Sequence, residues 1–130
     1  MMTIKEDPHI LTWRFILRKY LEEENICGKK NSEEYNDLIY RAVENYFLDD
    51  LENNGYNIHI KAPGPGAANQ IARRIENSER ISNPSYAAEV FGWIKAFFNY
   101  VAKHLRWEYN PLDGVRPPRE EVIYNRKKKR

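Results

Sequence analysis

A single cysteine, Cys27, in 130 residues excludes an internal disulfide and suits a reducing compartment. No apolar run approaches the roughly 20 residues that a membrane span needs. The N-terminal MMTIKEDPHI lacks the basic-then-apolar order of a secretory signal. The expected location is therefore the cytoplasm, with no membrane partner. Histidine is also sparse, at three residues. His9, His59 and His104 lie far apart and have no metal-ligand spacing. Glycine is rich only at GPGAAN, which lacks the preceding strand and the Lys-Ser/Thr pair of a phosphate loop, so it reads as a Pro-Gly turn. Strand signals are equally few: YNIHIK (56–61) has no second strand to pair with. Glu22–Glu24 and Asp49–Asp50 read as helix-end surface charge. No metal, cofactor or catalytic constellation is expected, and the chain itself is not expected to be an enzyme.

What is present is a core-forming composition, 42% hydrophobic and 13% aromatic, outside the disordered range. At this length it supports one domain with a real core. The net charge of +2 hides a division. Residues 1–60 carry seven Lys/Arg against twelve Asp/Glu, net −5, whereas residues 61–130 carry fourteen against seven, net +7. Five of the late cations form the run Arg126–Arg130. An acidic front and a basic back point to an anionic partner for the back half, or to a solubilising tail.

Four helical segments are legible from apolar spacing. The first spans about His9–Asn25 on Ile10, Trp13, Ile16, Leu17, Tyr20 and Leu21, with Gly28 as its C-terminal cap. The second opens on NSEE, with Asn31 and Glu34 at capping-box spacing, and buries Tyr35, Leu38, Ile39, Ala42, Val43, Tyr46 and Phe47 before NNG stops it. A short third helix covers Ala67–Glu76 on Ala68, Ile71, Ala72 and Ile75, after a loop holding Pro63, Gly64, Pro65 and Gly66. The fourth is capped by Ser82 or Asn83 with Pro84 in its first turn. It runs to about Trp107 and buries Tyr86, Val90, Trp93, Ile94, Phe97, Phe98, Val101 and Leu105. The class is all-α: a compact bundle of four main helices with Trp13, Leu38, Val43, Phe47, Ile71, Trp93, Ile94 and Phe97 in its core. Residues 1–118 form the domain and 119–130 a basic linker or tail. Arg126–Arg130 is expected to be disordered, because like charges repel and nothing apolar anchors them.

On the fourth helix Gly92, Lys95, Asn99, Lys103 and Arg106 follow steps of three and four, one line with no acid on it. Such a line suits a DNA major groove: cations neutralise phosphates, and Asn or Arg reaches base edges. Arg73, Arg74 and Arg80 extend the basic character of the third segment. Arg14, Arg18 and Lys19 form a smaller cluster on the first helix, which the following EEE could satisfy.

The segment SYAAEVFGWIKAFFNYVAKHLRWEYNPLDGVRPP resembles the end of one domain type. It is similar to the N-terminal core-binding, SAM-like domain of tyrosine recombinases of the phage-integrase kind. The residues that carry the likeness are Phe97, Phe98 and Tyr100, then Asn110–Pro111, then Pro117, Pro118 and Arg119. It is strongest over residues 82–130. The resemblance implies a non-catalytic half of a clamp around duplex DNA at the core site, packing with further recombinase protomers, in the service of integration or recombination. It implies that EEVIYNRKKKR is an interdomain linker leading to a catalytic domain, so Tyr109 and Tyr124 have no catalytic role. DNA contact is expected at Lys95, Asn99, Lys103, Arg106, Arg73, Arg74, Arg116 and Arg119. The second helix departs from the family pattern, since Glu33, Glu34, Asp37, Glu44, Asp49 and Asp50 outnumber Arg41. The competing reading is a complete small helical interaction protein of a phage or mobile element, which binds another protein through that acidic helix.

Overall fold

The structure, a computed structural model, describes residues 12–26, 33–53, 60 and 62–128. Every regular element among them is helical: α1 (Trp13–Ile26), α2 (Glu33–Val43), a π-helical segment (Glu44–Leu48), α3 (Asp49–Asn53), α4 (Pro65–Glu76), α5 (Pro84–Leu105) and α6 (Glu120–Lys128). α2, the π segment and α3 follow without a break. The chain divides into two compact units, Met1–Lys61 and Ala62–Arg130. The expected caps at Gly28 and Asn31, the NNG stop and most of the YNIHIK stretch lie outside the described residues.

In the first unit α1 starts at Trp13 with Thr12 as its cap; the expected start at His9 and the inward Ile10 lie outside the described residues. The Thr12 hydroxyl accepts the Phe15 N–H at 3.1 Å, and the Thr12 carbonyl accepts the Ile16 N–H at 3.1 Å. Trp13, Ile16, Leu17, Tyr20 and Leu21 are all buried, as their spacing requires. On the next rod Ile39, Ala42, Val43, Tyr46, Phe47 and Leu48 are buried. Three consecutive buried residues do not fit an α-helical stripe; the π turn, closed by Asp49 N–H to Glu44 O, widens the helix and turns all three inward. Trp13 meets Phe47 edge-on, centroids 4.8 Å apart, within the favoured range for aromatic pairs. Leu38 corrects the expected stripe: it is 44% exposed, one position off the 39/42/43/46 line. Tyr35 is only half-buried. Of the three cations near EEE, Lys19 pairs with Glu22, its Nζ 3.6 Å from Oε2, whereas Arg14 turns to the second rod. It donates to Glu44 Oε2 at 2.6 Å and to Tyr40 Oη at 3.2 Å, tying α1 to the second rod.

In the second unit α4 begins two residues earlier than the loop assignment allowed. Gly64 is its N-cap and Pro65 its first residue, where the missing N–H costs nothing. Ala68, Ile71, Ala72 and Ile75 are buried. α5 is capped by Asn83, whose Oδ1 accepts the Ser85 N–H at 2.8 Å. Val90, Trp93, Ile94, Phe97, Phe98 and Val101 are buried, as their spacing requires, together with Phe91. Tyr86 is instead exposed, with its ring edge-on to Trp93, and Leu105 is half-buried. Full burial of each such side chain contributes about 1.5–3 kcal/mol, so α5 is the spine of this unit.

α5 ends in a left-handed residue, Arg106, at φ 58° and ψ 41°. The N–H groups of Arg106 and Trp107 both donate to the Ala102 carbonyl, the second at 2.9 Å, which closes the helix as a glycine cap would. Asn110 is then buried and bonded three ways. Its Nδ2 donates to the Lys95 carbonyl at 2.8 Å, and its Oδ1 accepts the Leu112 N–H at 2.9 Å. Its carbonyl accepts the Asp113 N–H at 2.9 Å. The Asn-Pro motif thus serves the fold, because it turns the chain and fastens the turn to the flank of α5.

The expected disorder at the C-terminus does not hold as far as Lys128. Glu120–Lys128 is helix α6, which packs against α4 and α5 with Ile123 buried. One apolar side chain is enough anchor here because an ion cluster beside it adds a second.

Candidate nucleic-acid interface

The helical phase of α5 puts its apolar residues inward and leaves a ridge of exposed positions, Glu89, Gly92, Ala96, Asn99 and Lys103, at steps of three and four. Arg106 is exposed beyond the last turn. Gly92, Asn99, Lys103 and Arg106 thus share the solvent side, as their spacing requires. Two details change its charge. Glu89 places an acid on the ridge one step before Gly92. Lys95 lies half-buried at the edge, and its Nζ is 3.7 Å from Asp113 Oδ1. Positive charge is therefore concentrated at the C-terminal end, where Lys103 and Arg106 also complement the negative end of the helix dipole. Among the described residues Lys103 and Arg106 have no ion pair.

The remaining candidate cations fall into a different arrangement. Arg73 and Arg119 converge on Glu76, which is 1% exposed. Arg119 grips the carboxylate as a fork, Nε to Oε2 and Nη2 to Oε1, both at 3.0 Å, and its own backbone N–H adds a third bond at 2.8 Å. Arg73 Nη1 lies 2.9 Å from Oε2. The Nη2 of Arg73 also donates to the carbonyls of Arg116 and Pro117, at 2.5 and 3.1 Å. Burial pushes the Glu76 carboxyl up, but the side-chain and backbone hydrogen bonds from Arg119 and the two guanidinium charges outweigh it. The carboxyl ends below its ordinary value of 4.5. This cluster holds the end of α4 to the start of α6. Two bidentate-capable guanidiniums around one desolvated carboxylate form a structural clamp, with their donor groups directed to the fold.

Of the eight expected contact residues, then, Arg73 and Arg119 are brought together around Glu76, and Lys95 lies beside Asp113. Arg74 is half-buried on α4 with an interaction of its own. Asn99, Lys103, Arg106 and Arg116 are exposed. The residue missed from sequence is Glu76. Its signal was available: Ala68, Ala72 and Glu76 follow at steps of four, so the acid continues a buried line and demands counter-charges. Among the described residues no group of three or more His, Cys, Asp or Glu side chains is placed to hold a metal ion, and no helix is long and apolar enough to cross a membrane.

Comparison with family models, with curated proteins and with solved structures returns no match for this chain. The reading of function rests on its own residues.

Proposed function

We propose that the chain is a non-catalytic, duplex-DNA-binding helical module, which contacts the nucleic acid through the C-terminal end of α5 and the turn after it. The observation that carries this reading is the exposure of Lys103, Arg106 and Arg116, which have no carboxylate partner among the described residues, in the unit that bears the positive half of the chain's charge. Cations kept clear of the acids of their own fold are available to displace counterions from phosphates. Asn99, next on the same ridge, supplies an amide able to reach a base edge. The finer identity we propose is the core-binding domain of a tyrosine recombinase, supported by the likeness over residues 82–130. The fastening of Asn110 to α5 gives that stretch a folding role, so the motif bears on architecture more than on chemistry.

A second reading has an observation of its own. Leu38 is exposed among Glu34, Asp37 and Arg41, so the acidic α2 presents an apolar side chain to solvent. DNA binding separates the two. The 130-residue chain is titrated onto a labelled duplex at several salt concentrations, then again with residues 126–130 all changed to Gln. The substitutions leave α6 in place, so the surface that Ile123 buries stays covered. Salt-dependent binding that survives the Gln changes supports the α5 interface. Binding that vanishes with the tail cations sinks it and leaves the protein-contact reading ahead.

A further inference from the structure

α5 departs from ordinary residue preference at two points on its exposed side. Gly92 lies within the helix, where glycine costs stability relative to alanine, although a Cβ there would meet nothing within 4 Å. Arg106 occupies a left-handed backbone position, where glycine is the residue that fits without strain. It is the one non-glycine with positive φ among the described residues. The helix has glycine where a side chain would fit and arginine where glycine would fit. Internal packing explains neither choice. The Arg106 side chain is exposed and makes no hydrogen bond or ion pair among the described residues. The left-handed backbone serves the helix end, but the arginine side chain that makes it costly is used by nothing inside the fold among the described residues, which points to use by something outside.

We infer that Arg106 is the phosphate anchor of this face, and that its unfavourable backbone is kept for that contact. The inference rests on the DNA-binding reading and deepens it. A guanidinium matches two phosphate oxygens with a planar fork that an ammonium lacks. The double closure on the Ala102 carbonyl fixes the backbone from which the side chain springs, so less freedom is lost when it grips. The helix dipole favours a cation near Arg106 but does not require a guanidinium in a left-handed position, since Lys103 already supplies a cation in the last turn.

The test sets stability against binding in the same variants, measured in the 130-residue chain and again with residues 126–130 changed to Gln. Arg106→Gly removes both the strain and the guanidinium. Its Tm rises by roughly 4 °C, while affinity for a duplex oligonucleotide falls about five- to tenfold at 0.1 M salt and the slope of log K against log salt flattens by about 0.9. Arg106→Lys keeps the strain and the charge, so its Tm and slope stay near the parent's. An Arg106→Gly chain that melts higher but binds with an unchanged slope overturns the anchor and leaves the DNA-binding reading standing. One that melts at or below the parent shows that the arginine costs the fold nothing, and overturns the inference from the other side. A parent chain with no salt-dependent binding removes the DNA-binding reading, and the anchor with it.

Discussion

Arg119 and Arg106 are chemically the same side chain in the same half of the protein, yet one is bound into the fold and the other faces solvent. Around Arg119 a carboxylate has been taken out of water, and the guanidinium, its backbone N–H and Arg73 together offset the desolvation of Glu76. Around Arg106 no acid is buried among the described residues, and the cation faces solvent from the end of α5. A desolvated acid commits its cations to the fold; a cation with no such acid beneath it keeps its hydration, and the proposed ligand contact lies there. Counting arginines along the chain cannot make this distinction, because the deciding residue is the glutamate.

Both regions rest on α5, so the change that breaks the comparison altogether is in the core. Phe97 is fully buried, and Phe97→Ala is expected to cost about 3–5 kcal/mol. Denaturant unfolding checks this, and a loss under about 1 kcal/mol would show that the buried stripe is not what supports the unit.

The clamp is broken selectively by Glu76→Gln, which keeps the shape and removes the charge. A loss on the order of 2–3 kcal/mol is expected, from weakened charge-assisted hydrogen bonds and two guanidiniums left without their counter-charge. The same variant has a pH signature. Because the folded carboxyl titrates below its ordinary 4.5, the folded state binds the proton less readily than the unfolded state does. The contribution is therefore complete above the ordinary value and is lost as pH falls through the lower, folded one. Unfolding curves taken from about pH 7 down to about pH 3 should show the parent losing more stability than Glu76→Gln over the acid range. Parallel curves would mean that Glu76 is not held ionised.

The open end is probed by the double variant Lys103→Ala with Arg116→Ala. Stability should stay within about 0.5 kcal/mol of the parent, while the salt slope for duplex binding flattens by up to about 2. A change in melting without a change in slope would invert the assignment of the two regions. The smallest effect is expected from Lys95→Ala. With Asp113 3.7 Å from its ammonium, this lysine is already partly neutralised, and the slope should move by well under about 0.9. A full unit of change would put Lys95 among the free cations.

Much of the fold was legible because burial imposes a period. The 13/16/17/20/21 and 90/93/94/97/98/101 spacings named the inward faces of α1 and α5 without further information. The misses have physical causes. Leu38 fits a three- and four-residue spacing from Tyr35 to Ala42, but it lies at the edge of the stripe that centres on Ile39, Val43 and Tyr46. Pro65 reads as loop because a Pro-Gly pair is a strong turn signal, whereas the first position of a helix tolerates proline as well. α6 was missed because its anchorage comes from one isoleucine and from an ion cluster whose acid lies on another helix, and no periodicity within EEVIYNRKKK encodes that. At the candidate interface the line of exposed residues was readable, but the division of its cations into bound and free was not, since that depends on Glu76 and Asp113. The left-handed turn at Arg106 was invisible for a related reason: sequence marks such a turn by glycine, and this one has none.

The π-helical segment of the first unit has a consequence for how the chain tolerates changes in length. A helix that closes one turn from Asp49 back to Glu44 contains one residue more than its α-helical pitch requires. Removing a residue from an ordinary helix rotates everything beyond the deletion by about 100°, since about 3.6 residues complete a turn. Removing one from Glu44–Leu48 would let the rod relax to plain α geometry with α2 and α3 still in phase. The surplus residue makes this the one stretch of the rod where the protein can be shortened without losing its alignment.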